Sequence, residues 1–341
     1  MSLRLSLALG SGELVLLDGG VSVVLPVPDF DLSGLDISRV EVVQPFRPYF
    51  DVFERAGFAC VTDSDTACAT AIICLPRAKA QARAAVFEAC QRCTGSVVVD
   101  GAKSDGIDSI YKDVRRRVDV LGQMTKAHGR IFWFQADPAA FADWQAPKDQ
   151  NAGEYHTAPG VFSADGIDPA SAMLMAALPV KLGRHVVDLG AGWGYLAAEL
   201  LARNSAIETL DLVEADFVAL ECARKNVPDP RARFHWADAL DWAASARVDT
   251  VVMNPPFHRG RATDPTLGRG FIATAARVLA PGGVLWMVAN RHLPYEAAIS
   301  ESFAQVEEVS GDNRFKILRA GRPKTRTSGG FKPSRTRRSR A

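Results

Sequence analysis

Short apolar runs alternate with amphipathic stretches along the whole chain, a pattern that predicts strands interleaved with helices. In the first third, residues 13 to 17, 21 to 27 and 40 to 43 are rich in Val and Leu and read as strands, and residues 48 to 57 as a helix. Residues 71 to 75 and 96 to 100 are buried-strand runs flanking a helical stretch from 77 to 92, as in a β-α-β unit. Residues 137 to 157 carry Pro138, Pro147, Asn151 and Gly153 without sustained periodicity. They read as a connection and set a domain boundary near residue 150.

Beyond that boundary the alternation sharpens. Strands are expected at 186 to 189, 209 to 214, 233 to 236, 250 to 253 and 284 to 289. Helices are expected at 195 to 203, 217 to 226 and around 270 to 279, the last stopped by Pro281-Gly282-Gly283. Residues 305 to 309 and 315 to 318 are two further strand candidates. Val251-Val252-Met253 and the run 284 to 288 are continuously apolar, as strands covered on both faces are. The fold class is therefore α/β, with an open, mostly parallel sheet whose ligands sit beyond the carboxyl ends of its strands.

Composition narrows this only at the edges. The 341 residues are 48% hydrophobic and 23% charged, values of a globular chain of about two domains. The longest apolar stretch, 170 to 180, is broken by Ser171 and Pro179 and is too short to span a membrane, and residues 5 to 9 are too short for a secretory signal. A cytoplasmic location is expected. Five of the six cysteines lie in the first third, and the lone Cys90-Gln91-Arg92-Cys93 has no second pair at zinc spacing, so no metal site is expected. The net charge of +1 hides an asymmetry, because residues 321 to 341 hold eight basic residues and no acidic one. That segment reads as a disordered basic tail, suited either to sequence-blind attraction to phosphates or to solubilising the chain.

Four motifs carry the chemistry. Val186-Val187-Asp188-Leu189-Gly190-Ala191-Gly192-Trp193-Gly194 is a strand, a glycine turn and a helix start, spaced GxGxG rather than GxGxxG. An acid before the first glycine would repel a pyrophosphate but can pair with a cationic ligand bearing an amino acid, so Asp188 with Gly190 and Gly192 favours S-adenosylmethionine over NAD. Glu214 ends the next strand, where an acid can take both ribose hydroxyls, with Asp216 capping the following helix. Asp238 and Ala239 follow the third strand, placing Asp238 to accept from an adenine amine or simply to cap a helix. The fourth motif, Asn254-Pro255-Pro256-Phe257-His258, is the most specific. Its prolines remove two backbone donors and project Asn254 and the Pro255 carbonyl as acceptors, while Phe257 can stack on an extruded base. Two acceptors gripping an amine's N–H bonds aim its lone pair at a methyl group.

Val186 to Gly194 followed by Asn254-Pro255-Pro256-Phe257 resembles the class I S-adenosylmethionine-dependent methyltransferases acting on amino nitrogens. His258, the run 158 to 168 and the run 288 to 295 narrow the resemblance to the ribosomal RNA guanine-N2 methyltransferases, the group that holds methyltransferase C for small-subunit RNA and methyltransferase G for large-subunit RNA. The resemblance covers residues ~155 to 320 and continues more faintly through the first part by organisation. It implies two tandem Rossmann-like methyltransferase-type domains: a degenerate one at 1 to 150 with an RNA-positioning or scaffold role, and a catalytic one at 151 to 320. The latter is expected to hold a seven-stranded sheet with the strand near 315 to 318 inserted antiparallel. Gly160 to Ser163, including Phe162, together with Asp165 would wall the cofactor pocket, and His258 would contact the guanine or relay its proton. The partner would be ribosomal RNA, most simply 16S, or a ribosomal subunit, met by a monomer. In the first domain, residues 100 to 106 come nearest to the glycine motif without its spacing. Two other readings stay open: methylation of adenine N6 or of a protein glutamine, for which Tyr would be favoured at the position of Phe257, and a non-catalytic RNA-binding assembly protein.

Overall fold

The computed structural model describes residues 3–256, 258–259, 262–263 and 265–324. The first half runs α1 (Leu3–Gly10), β1 (Val21–Val24), β2 (Val40–Val43), α2 (Arg47–Arg55), β3 (Ala59–Val61), β4 (Cys68–Cys74), α3 (Lys79–Arg92) and β5 (Cys93–Ala102). It continues with α4 (Ile107–Val114), β6 (Val120–Lys126) and β7 (Gly129–Gln135). A small hairpin, β8 (Gln150–Ala152) and β9 (Tyr155–Thr157), leads into α5 (Pro169–Ala177), β10 (His185–Leu189), α6 (Tyr195–Arg203), β11 (Thr209–Glu214), α7 (Phe217–Asn226) and β12 (Ala232–Trp236). Then come β13 (Val248–Met253), the two-residue strands β14 (His258–Arg259) and β15 (Ala262–Thr263), α8 (Pro265–Val278), β16 (Leu279–Asn290), α9 (Tyr295–Ser302), β17 (Phe303–Gly311) and β18 (Phe315–Pro323).

Two seven-stranded sheets result, and their orders correspond strand for strand: β3-β2-β1-β4-β5-β7-β6 and β12-β11-β10-β13-β16-β18-β17. In each, the first five strands run parallel and the sixth position is antiparallel to both neighbours. The expectation of two tandem methyltransferase-type sheets is met, including the antiparallel insertion at 315 to 318. Alternation along each strand feeds two cores. Val187 and Val251 pack with α8 and α9, while their neighbours Val186 and Val252 pack with α5 and α6 on the opposite face. Each such wholly buried aliphatic side chain contributes roughly 1.5–3 kcal/mol.

Several expectations need correction. Residues 13 to 17 form no strand. Both flanks of β1 are taken by β2 and β4, and the segment instead leaves the turn after α1 as a bend that buries Leu14 in the core. The hairpin of β6 and β7 has no counterpart among the expected strands, because its turn carries Ala127 and His128 at positive φ (47° and 52°) in place of a glycine signal. Strand β18 continues to Pro323, and Lys324 N–H donates to the Ser302 carbonyl (2.8 Å), so Gly321 to Lys324 belong to the fold rather than to the basic tail. The rest of that tail, 325 to 341, lies outside the described residues. Residues 100 to 102 end β5, the fifth strand of its sheet, and 103 to 105 form a single 3-10 turn; the true counterpart of the glycine turn, after β1, is Leu25-Pro26.

Candidate active site

The turn between β10 and α6 is built on left-handed glycines, Gly190 (φ 82°), Gly192 (φ 55°) and Gly194 (φ 89°). A Cβ at Gly194 would press on Val227 and Ala223 at about 3 Å, so glycine here also lets α6 approach α7. The turn is tied to β11: the Gly190 and Ala191 N–H groups both donate to the Val213 carbonyl, and Gly192 N–H donates to Glu214 Oε2 (2.7 Å). Glu214 Oε1 accepts from Asp216 N–H (2.8 Å). Burial pushes Glu214 up to about 7, against those amide bonds.

Asp188 is wholly buried beneath this turn. Neither carboxyl oxygen makes a hydrogen bond of normal geometry, and burial, reinforced by the charge of Glu214, pushes its pKa up to about 7, opposed weakly by the nearby Ala197 amide. Two acids raised by the same pocket, one orphaned, mark a place prepared for positive charge or for hydroxyl donors.

Asn254 leaves β13 at its carboxyl end and turns its Nδ2 inward, donating to Asp168 Oδ2 (2.9 Å) and Ser171 Oγ (2.9 Å). Asp168 is the N-cap of α5, with Pro169 in the first turn, and the same Oδ2 accepts from Ser171 N–H (2.8 Å). With both amide hydrogens committed to this cap, Asn254 Oδ1 is the atom left to accept from a ligand. Pro255 is buried and Pro256 exposed, and both border the same space as Asn254.

That space is a cavity of about 380 Å³ beyond the carboxyl ends of β10 to β13, within the size range of small-molecule sites. Gly190, Gly192, Glu214, Asp238, Ala239, Asn254, Pro255, Pro256 and Phe162 all line it. Phe162 is 58% exposed, and its carbonyl accepts from Trp193 Nε1 (2.9 Å), which pins the loop over the glycine turn. Asp238 Oδ1 also accepts from Leu240 N–H (2.8 Å), so its capping and lining roles coexist; Asp216 likewise caps α7 while lining.

Two expected residues are not brought to the wall. Asp165 is exposed and away from the cavity, and Asp168, three residues on, lines it instead because the loop turns back to start α5. Asp188 acts from below rather than at the mouth. Phe257 lies outside the described residues, and of His258 only its place at the start of β14 is described. Sequence reasoning missed Asp168 and Ser171, although an Asp before a proline at a helix start signals a cap. It also missed Phe46, Pro48 and Tyr49, which line the cavity from the first half; nothing local marks them.

Residues 152–319 match the family described as methyltransferase small domain. A ribosomal RNA large subunit methyltransferase G of Aeromonas salmonicida is 37% identical over 171 residues, 48% of this chain and 45% of that protein. The chain thus spans about half the length of such relatives. A ribosomal RNA small subunit methyltransferase C of Shewanella halifaxensis is 31% identical over 284 residues, 80% of this chain and 82% of that one. Among solved structures, the T. thermophilus 16S rRNA N2 methyltransferase in complex with AdoMet and guanosine superposes with a TM-score of 0.73 and 26% identity, covering 91% of this chain and 90% of that one. With 31% identity over four fifths of both chains and a two-domain fold shared with the T. thermophilus enzyme, the chain belongs to the family of ribosomal RNA small subunit methyltransferase C.

Proposed function

We propose that the protein is an S-adenosylmethionine-dependent methyltransferase that transfers a methyl group to N2 of a guanine in ribosomal RNA of the small subunit. It acts as a cytoplasmic monomer on the RNA or on a ribosomal subunit. The observation that carries this reading is the locked orientation of Asn254, whose amide hydrogens are held by Asp168 and Ser171 while its oxygen borders the cavity.

The residues present fit the cofactor. The cavity is of suitable size, Glu214 stands where a ribose diol would donate, and the wholly buried Asp188 with the half-buried Glu214 favours a cationic ligand. When bound, S-adenosylmethionine supplies an electrophilic methyl group on a sulfonium sulfur. Glu214 keeps free lone pairs for the two hydroxyls beside the amides it already accepts. Gly190 and Gly192 let the backbone approach, Phe162 and Ala239 supply apolar wall, and Asp238 offers an acceptor at the far edge. Asn254 Oδ1 and the Pro255 carbonyl accept the two N–H bonds of an exocyclic amine and fix its lone pair toward the methyl group. No strong general base is needed, because the nitrogen becomes acidic as it gains the methyl.

Residues 1 to 150 serve as a scaffold that also positions RNA. After β4, the counterpart of β13, stands Leu75-Pro76 in place of Asn254-Pro255, so the first sheet offers no side-chain acceptor at the reacting position. The test is incubation with tritiated S-adenosylmethionine and, separately, bulk ribosomal RNA, 30S, 50S or protein extract, followed by nucleoside analysis. Label in N2-methylguanosine is the expected result. Label in protein alone moves the substrate to glutamine, and absence of cofactor binding overturns the reading.

A further inference from the structure

The two halves meet at equivalent corners, and the contact is reciprocal. Phe46, three residues past β2, forms an antiparallel bridge with Asp216, two residues past β11. Arg47 N–H donates to the Ala215 carbonyl (2.8 Å), and Phe217 N–H donates to the Pro45 carbonyl (2.9 Å). Trp236 at the end of β12 donates its Nε1 to the Pro45 (3.0 Å) and Ala215 (2.9 Å) carbonyls. Phe50 packs edge-on against the same indole at 5.0 Å, and the Arg47 guanidinium lies 4.8 Å from its centre. A corner held by paired backbone bonds and a cation–π contact is rigid. It carries Phe46, Pro48 and Tyr49 into the wall of the cavity.

The order of strands says which end of the ligand these residues meet. Across the cavity the sheet runs β12, β11, β10, β13, which places Asp238, Glu214, the glycine turn and Asn254 in that sequence. The methyl group must lie at Asn254 and the ribose at Glu214, so the base lies at the β11–β12 side. That is the side where the first half docks. Phe46 and Tyr49 sit there as an edge-on ring pair 4.9 Å apart, both half-buried. A half-buried aromatic pair lining a pocket is suited to a flat heterocycle.

We propose that the first half completes the cofactor site: Tyr49, braced by Phe46, closes on the adenine end of S-adenosylmethionine, so the two halves bind it jointly. This rests on the assignment of S-adenosylmethionine to the cavity. The first half is then a working part of the ligand site in addition to any contact it makes with RNA.

The experiment is calorimetric titration of the full chain with S-adenosylhomocysteine and with 5′-methylthioadenosine, which keeps the adenine and lacks the amino acid. Tyr49→Ala is expected to raise both dissociation constants about tenfold, the loss expected for one stacked base. Tyr49→Phe, which keeps the ring, is expected to stay within about twofold on the same stacking ground. Thermal unfolding of the unliganded variants, followed by circular dichroism, should match that of the parent chain. Unchanged affinity in a folded Tyr49→Ala variant overturns the joint site and leaves the cofactor assignment standing. Loss of affinity for S-adenosylhomocysteine without loss for methylthioadenosine also overturns it, since the ring would then serve the amino-acid end. If the parent chain binds neither compound, the assignment of the cavity falls and the joint site with it.

Discussion

Gln44 and Glu214 occupy the same position in the two sheets, each following the residue of the second strand that pairs with the end of the first, Val43 with Val24 and Val213 with Leu189. Each side chain accepts from the amide two residues on, Phe46 N–H to Gln44 Oε1 at 2.9 Å and Asp216 N–H to Glu214 Oε1 at 2.8 Å. The difference lies at the other oxygen or nitrogen. Glu214 Oε2 accepts from Gly192 N–H, whereas Gln44 Nε2 donates to the Pro26 carbonyl (2.7 Å), because the turn after β1 presents an acceptor there. The first sheet thus has the same latch but carries a neutral amide where the second has a cavity-lining carboxylate.

Gln44→Glu tests that replacement. At a position 3% exposed the new carboxylate would face a carbonyl, leaving both acceptors without a donor. The expected destabilisation is roughly 1–3 kcal/mol at neutral pH. The buried acid has its pKa raised above the unfolded value, so the loss should shrink at pH 5, where the protonated form can donate, and grow as pH rises. Urea denaturation at the two pH values measures this; equal destabilisation at both would contradict the donor role of Gln44.

The cap of α5 and the reacting corner form one unit, because Asp168 Oδ2 serves both Ser171 N–H and Asn254 Nδ2. Asn254→Ala should lower kcat by about 10²–10³ while leaving the cofactor dissociation constant nearly unchanged. Asp168→Ser retains a helix cap and removes the carboxylate that orients Asn254; turnover should fall about 10- to 100-fold, the range for loss of an orienting partner. Steady-state kinetics beside direct cofactor titration separate the two effects. A comparable loss of cofactor binding in Asn254→Ala would show that its oxygen faces the cofactor rather than the base.

Much of the second sheet was legible because its elements are punctuated. Helices 195 to 203 and 217 to 226 fall where expected, opened by Gly194 and by the Asp216 cap. The glycine turn and Asn254-Pro255-Pro256 are contiguous, so their meeting at one end of the sheet follows from strand order alone. Other parts depend on tertiary structure. Val120–Lys126 alternates weakly and turns through Ala127 and His128, whose positive φ is imposed by pairing rather than by residue type. Phe46 and Tyr49 lie in an ordinary amphipathic helix start, and only the docking of one half on the other brings them more than 100 residues along the chain to Glu214. Asp188 was legible as an acid before a glycine; that it lies below the wall depends on the burial of β10.

Asp188 and Glu214 are both raised to about 7 chiefly by burial, so cofactor binding is expected to depend on pH. Asp216, beside Glu214, is raised by burial as well. A carboxyl whose folded pKa exceeds its unfolded value favours the fold while protonated, so the stability of the unliganded protein should decline as pH rises from about 4 toward 7. A cationic ligand favours the ionised acids, so binding should release protons and tighten between about pH 5 and pH 7, by up to about tenfold per unit for each proton released, and level off above pH 7. Glu214→Gln should weaken binding and flatten its pH dependence. Dissociation constants for S-adenosylmethionine at three pH values in this range, in buffers of different ionisation enthalpy, give both the slope and the proton count; a parent chain with a flat profile would remove these acids from the binding equilibrium.

Truncation tests the basic end of the chain, and the cut must fall after Lys324, because Lys324 Nζ donates to the Ser300 carbonyl (2.6 Å) and its N–H to Ser302, closing the edge of the second sheet. Residues 325 to 341 still carry Arg326, Lys332, Arg335, Arg337, Arg338 and Arg340 and no acid, beside a body in which acids outnumber bases. If these cations meet RNA phosphates, each contact releases counterions, and the slope of log affinity against log salt should fall by as much as roughly four on single-stranded RNA. Cofactor affinity and thermal stability should not change, since the cut lies beyond β18. Filter binding of a ribosomal RNA fragment to the full and shortened chains across a salt series reads the slope directly. A smaller slope with lower affinity assigns the tail to phosphate contact, whereas an identical slope leaves it only the effect of charge on solubility.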